Sequence, residues 1–63
     1  MRNNLKAARK ARGMTQQDMA DYLGISLPHY KNIESGERTG SVELWDKMED
    51  LFSIHQRVLR EIS

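Results

Sequence analysis

A chain of 63 residues is expected to form one small domain spanning residues 1–63, and folding at this size buries only about 60% of the surface an unfolded chain exposes, which disfavours a deep substrate pocket. Cysteine is absent, which excludes disulfides, thiolate chemistry and zinc ribbons, and no apolar run approaches the roughly 18 residues of a membrane span, so a cytoplasmic domain is expected. The net charge of +1 hides an uneven distribution: Arg2, Lys6, Arg9, Lys10 and Arg12 stand without an acid in the first 12 residues, whereas the rest of the chain carries five basic and nine acidic residues.

The apolar residues recur at helical spacing and no segment alternates with period two, so the chain reads as all-α with five short helices. A first helix begins near Asn3 or Asn4, both good N-caps, and ends at Gly13. Leu5 and Ala8 share one side of it with Arg9 and Arg12, while Arg2, Lys6 and Lys10 form a basic stripe. Thr15 caps a second helix with Asp18 three residues on, in the manner of a capping box, and Met19, Ala20 and Leu23 give its apolar face. Gly24 closes that helix. Ser26 caps a third only a turn later, with Pro28 in its first turn, Tyr30 and Ile33 inward, and Ser35-Gly36 at its end. Ser41 caps a fourth helix with Val42, Trp45, Met48 and Phe52 on one face, flanked by Leu44 and Leu51; Glu49 intrudes on this apolar arc, either snorkelling out of it or loosening it. Ser53 or His55 opens a last helix, with Gln56 at capping-box distance from Ser53 and Val58, Leu59 and Ile62 on one side.

The segment from about residue 15 to 36 is a helix, a tight Gly-Ile-Ser turn and a second helix, and so short a turn makes the helices cross steeply and leaves the outer face of the second one free to enter a major groove. Gly13-Met14-Thr15-Gln16-Gln17-Asp18-Met19-Ala20, Leu23-Gly24-Ile25-Ser26 and Ile33-Glu34-Ser35-Gly36-Glu37-Arg38 together resemble, without a gap, the central signature of the Cro/repressor helix-turn-helix family of phage and bacterial regulators. The likeness covers nearly the whole chain, and it implies a compact, five-helix, lambda-repressor-like DNA-binding domain.

The resemblance also implies roles for single residues. Gln16, at the amino end of the second helix, corresponds to the family's phosphate-clamping Gln, where free N–H groups and the positive end of the dipole face the backbone. Arg9 and Glu34 match the ion pair that fixes the recognition helix to the body of the domain. Leu27, Pro28, Lys31 and Asn32 match base-reading positions: Asn32 suits adenine, Lys31 suits guanine or a phosphate, and Leu27 suits a thymine methyl. Apolar Leu27 and Pro28 depart from the family's polar preference, so two readings stand for them, contact with bases or simple helix initiation; DNA shape then carries more of the specificity. Arg38 and Thr39 match a second phosphate contact, the Ser26 hydroxyl is placed to meet the backbone, and Lys6 and Lys10 flank it unless they form only a solvated face.

Elsewhere the sequence is chemically quiet. His29 and His55 are lone imidazoles, Glu49 and Asp50 are helix neighbours pointing apart, and neither a nucleophile motif nor a Gly-rich phosphate loop occurs, so no enzyme, metal or cofactor is expected. One such reader covers little DNA, and the fold normally presents two copies across half-sites about 34 Å apart. A homodimer, at least on DNA, is therefore expected, with Leu44, Leu51, Val58, Leu59 and Ile62 as its candidate surface; the alternative is that the last helix folds back over these leucines. The favoured reading is a small phage- or mobile-element-type repressor that reads operator DNA with its third helix, without room for a separate sensor domain. The rival is an interaction module that binds a protein antagonist, with DNA secondary.

Overall fold

The computed structural model covers residues 1–63 and contains five helices: α1 (Asn3–Ala11), α2 (Gln16–Leu23), α3 (Leu27–Ser35), α4 (Val42–Phe52) and α5 (Gln56–Leu59). They enclose a single core: α1 contributes Leu5 and Ala8, α2 Met19, Ala20 and Leu23, α3 Tyr30 and Ile33, α4 Leu44, Trp45, Met48 and Phe52, and α5 Leu59. No helix is long and apolar enough to cross a membrane.

Local chemistry sets most boundaries. Thr15 Oγ1 accepts from the Asp18 N–H at 3.0 Å and the Asp18 carboxylate accepts from the Thr15 N–H at 2.9 Å, so the two groups satisfy each other's donors and start α2. Ser26 Oγ accepts from the His29 N–H at 3.2 Å and Ser41 Oγ from the Leu44 N–H at 3.3 Å, starting α3 and α4. Gly24 ends α2 at φ 70°, a left-handed conformation that a side chain would strain, and only Ile25 and Ser26 separate it from α3.

Three boundary expectations are corrected. Neither Asn3 nor Asn4 caps α1: Arg2 occupies the cap position without a side-chain cap bond, and Asn4 Nδ2 instead donates to the Val58 carbonyl at 3.1 Å. Ser53 does not open α5 but ends α4 in the left-handed region at φ 56°, so Gln56 has no capping-box partner there; His55 caps the one-turn α5 by accepting from the Arg57 N–H at 3.1 Å. Ile62 lies beyond α5, over Gly36 at the end of α3. Val42 is likewise not on the buried face of α4 and is 71% exposed, because a residue six positions before Met48 lies about 120° away from it around a helix. Leu44 takes its place in the core.

Glu49 neither snorkels nor loosens the arc. Its carboxylate accepts from the Gln56 N–H at 3.3 Å and from Gln56 Nε2 at 3.1 Å, and the same Nε2 donates to Asp46 at 2.8 Å. An acid on α4 thus satisfies the first turn of α5.

Candidate nucleic-acid interface

The helix-turn-helix is held together from below by charge. Arg9 Nε donates to Glu34 Oε2 at 2.9 Å and Arg9 Nη2 to Glu34 Oε1 at 3.2 Å, a two-bond pair whose acid is fully buried, while Arg9 Nη1 donates to the Met14 carbonyl at 2.8 Å. The bond to Glu34 raises the affinity of the Arg9 guanidinium for its proton, outweighing the opposing effect of burial. Gln16 joins the same network, with Nε2 3.4 Å from Glu34 Oε1. The first residue of α2 is thereby tied to α1 and α3, at a helix start whose leading N–H groups have no intrahelical partner.

Above this base, α3 turns Tyr30, Ile33 and Glu34 into the protein. Pro28, Lys31 and Ser35 are exposed and Asn32 is half-buried, so these four line the outer face. Leu27 packs partly against the core, because it lies three residues before Tyr30 and shares its side of the helix. Ser35, expected only as part of the Ser35-Gly36 end of this helix, donates through Oγ to the Asn32 carbonyl at 3.1 Å. Ser26 is exposed, with its oxygen engaged at the cap.

The loop after α3 is fixed through its backbone and free in its side chains. The Arg38 N–H donates to the Asn32 carbonyl at 3.1 Å, the Arg38 carbonyl accepts from Arg2 Nη1 at 2.8 Å, and the Thr39 carbonyl accepts from Trp45 Nε1 at 2.6 Å. The side chains of Arg38 and Thr39 project into solvent from this anchored backbone.

The basic stripe on α1 needs correction. Arg2 is only 5% exposed and donates through Nη1 to the Ile33 carbonyl at 2.5 Å, in addition to Arg38, and through Nε to the Arg60 carbonyl at 3.0 Å. It is a structural clasp, and only Lys6, half-buried, and Lys10, exposed, remain of the stripe. No sequence pattern marks Arg2, because its partners lie 31, 36 and 58 residues away. Arg12 is also structurally engaged, donating to the Leu51 carbonyl.

Two of the five candidate dimer residues belong to the core. Leu59 is 0% and Leu44 8% exposed, so the last helix does fold back over the apolar arc and these two offer no surface. Leu51 is half-buried against the core, while Val58 and Ile62 remain 38% and 54% exposed. No group of three or more His, Asp or Glu side chains gathers in a metal-binding arrangement.

Comparison with known proteins places this geometry in context. A family model described as helix-turn-helix matches residues 5–55. The chain is 43% identical over 54 residues to the cryptic phage CTXphi transcriptional repressor RstR of Vibrio cholerae, covering 86% of this chain and 48% of that protein. It is 54% identical over 35 residues to the uncharacterized HTH-type transcriptional regulator YqaE of Bacillus subtilis, covering 56% of this chain and 30% of that protein. The chain thus spans about half the length or less of these curated relatives. No solved structure gives a significant match. With the paired helices, the tight Gly-Ile-Ser turn and the family match over most of its length in agreement, the chain belongs to the helix-turn-helix family.

Proposed function

We propose that residues 1–63 act as one operator-reading unit of a phage-type repressor, with α3 in the major groove. The observation that carries the proposal is the outer face of α3, where Pro28, Lys31 and Asn32 project from a helix rigidly braced by the buried Arg9–Glu34 pair. Lys31 and Asn32 are the hydrogen-bonding readers, Pro28 and the exposed part of Leu27 supply apolar contact, and Gln16, Ser26, Arg38, Thr39, Lys6 and Lys10 meet phosphates. The resemblance to a named phage repressor over 86% of the chain supports repression as the outcome. Such a unit works in the cytoplasm, on double-stranded DNA, and gains specificity as a homodimer on two half-sites, for which Val58 and Ile62 are the exposed apolar candidates.

Selection of bound sites from random duplexes at fixed salt tests this reading. The wild-type chain is expected to enrich one motif; Lys31→Ala and Asn32→Ala each relax preference at one position by about 10-fold, and Gln16→Ala weakens binding to all sequences alike. A palindromic motif reports the dimer. Failure of the wild-type chain to enrich any motif overturns the proposal and leaves the protein-antagonist reading in its place.

A further inference from the structure

The surface carries one cleft, and it lies outside the helix-turn-helix. Arg2, Thr39, Arg57, Arg60 and Glu61 line it, with no apolar residue among them. The guanidinium carbons of Arg2 and Arg60 lie 5.2 and 5.9 Å from the Trp45 ring centroid, so two like charges are gathered around one aromatic side chain. The proximity is felt electrostatically: burial first, and then the Arg60 charge, lower the affinity of the Arg2 guanidinium for its proton. None of these arginines forms an ion pair, since the chain's one ion pair is Arg9–Glu34, and Glu61 lines the cleft without bonding to them. The cleft therefore holds three positive groups against one negative group.

The donors left free there are specific. Arg2 has already committed Nε and Nη1 to three carbonyls, whereas the guanidiniums of Arg57 and Arg60 and the hydroxyl of Thr39 have no partner and are on exposed residues. Two planar guanidinium forks and a hydroxyl match the tetrahedral oxygens of a phosphate group. Thr39 also belongs to the anchored loop that follows α3, next to Arg38, so the cleft continues the surface proposed above for backbone contact.

We propose that this cleft binds a phosphodiester of the DNA backbone, gripped by Arg57 and Arg60 with Thr39 as a third donor, so that the chain holds its DNA through the segment after α4 as well as through the helix-turn-helix. The inference rests on the operator-reading proposal and extends its footprint. Glu61 opposes the bound phosphate and limits affinity.

The test is a salt titration of binding to a selected duplex and to a random duplex, with wild type, Arg57→Gln, Arg60→Gln, the double variant, Glu61→Gln and Gln16→Ala, each first shown to melt like wild type. The double variant is expected to weaken binding equally on both duplexes and to reduce the slope of log affinity against log salt by about 0.9, the value of one lost phosphate contact; Glu61→Gln strengthens binding on both. An unchanged slope in the double variant, with Gln16→Ala still weakening binding, overturns the cleft assignment and leaves the operator reading intact. Absence of wild-type binding to either duplex overturns the operator reading itself. Amide shifts at Thr39 and Arg57 on adding inorganic phosphate, together with an unchanged DNA slope, replace the DNA assignment by a free-phosphate site.

Discussion

At the scale of single residues, Tyr30 places a hydroxyl deep in the core beside the Arg9–Glu34 pair. It is fully buried, and its hydroxyl is the one buried side-chain polar atom without a hydrogen-bond partner, despite the nearby Glu34 carboxylate. Burial first, and that carboxylate second, push its ionisation well above the ordinary tyrosine range. Below about pH 10 the hydroxyl is neutral in both folded and unfolded chains and the raised value has no effect; above it the unfolded chain releases the proton while the folded chain retains it, and stability falls by up to about 1.4 kcal/mol per pH unit. Tyr30→Phe removes an unpaired polar atom and keeps the ring. We expect it to leave stability at neutral pH unchanged or higher by about 1 kcal/mol, and to remove this share of the alkaline loss. Urea denaturation of both proteins at pH 7 and above pH 10 checks it; a loss greater than about 1 kcal/mol at pH 7 means that the hydroxyl is bonded to its neighbours.

At the scale of elements, α5 is the segment that cannot stand alone. Four residues form less than a stable helix, so α5 exists because Leu59 is buried and because Glu49 satisfies its first turn. Glu49→Ala is expected to cost about 1 kcal/mol, equivalent to a fall of roughly 4–8 °C in Tm, and to speed amide exchange at Val58 and Leu59 before the rest of the core; Glu49→Gln, which keeps an acceptor, recovers part of the loss. Exchange at those amides that matches wild type would remove the role of Glu49. The same element shows where sequence reading stops. Thr15, Ser26 and Ser41 act on N–H groups three residues away, and Gly24 on its own backbone, so these four boundaries follow from local chemistry. Gln56 reaches Glu49 and Asp46, 7 and 10 residues back across a chain reversal, and Ser53 takes a left-handed conformation that its type does not announce. The outer face of α3 was legible from its spacing for Pro28, Lys31 and Asn32, and the place of Leu27 three residues before the inward Tyr30 already carried the signal for its partial turn toward the core.

At the scale of the whole molecule, the uneven charge of the chain changes meaning. Five basic residues crowd the first 12 positions, but Arg9 is neutralised by Glu34 and the buried Arg2 reaches only the cleft beside Arg57 and Arg60, so Lys6, Lys10 and the exposed Arg12, whose bond to the neutral Leu51 carbonyl leaves its charge intact, carry the external field of this segment. Arg2 is the piece that closes the fold. Its N–H donates to the Glu34 carbonyl at 2.8 Å, and its guanidinium joins the end of α3, the following loop and the tail through Ile33, Arg38 and Arg60. Beside it the Ser63 N–H donates to the Met1 carbonyl at 2.8 Å, bringing the two ends of the chain together over α3. Arg2→Lys keeps the charge and loses the planar fork, and an ammonium on one stem cannot reproduce bonds to three carbonyls in fixed directions. Carbonyls at the end of α3 are then left without partners. A loss of roughly 2–4 kcal/mol is expected, a large share of the about 3–9 kcal/mol that a domain of this size holds. Urea denaturation should show a lower midpoint with an unchanged m-value, and faster amide exchange at Arg38 and Ser63 should precede global opening. A midpoint equal to wild type would mean that the core alone holds the tail and that the clasp does not contribute. If the clasp does open as expected, the loop bearing Arg38 and Thr39 loses its anchor, and Arg2→Lys should weaken DNA binding on all sequences while leaving the selected motif unchanged.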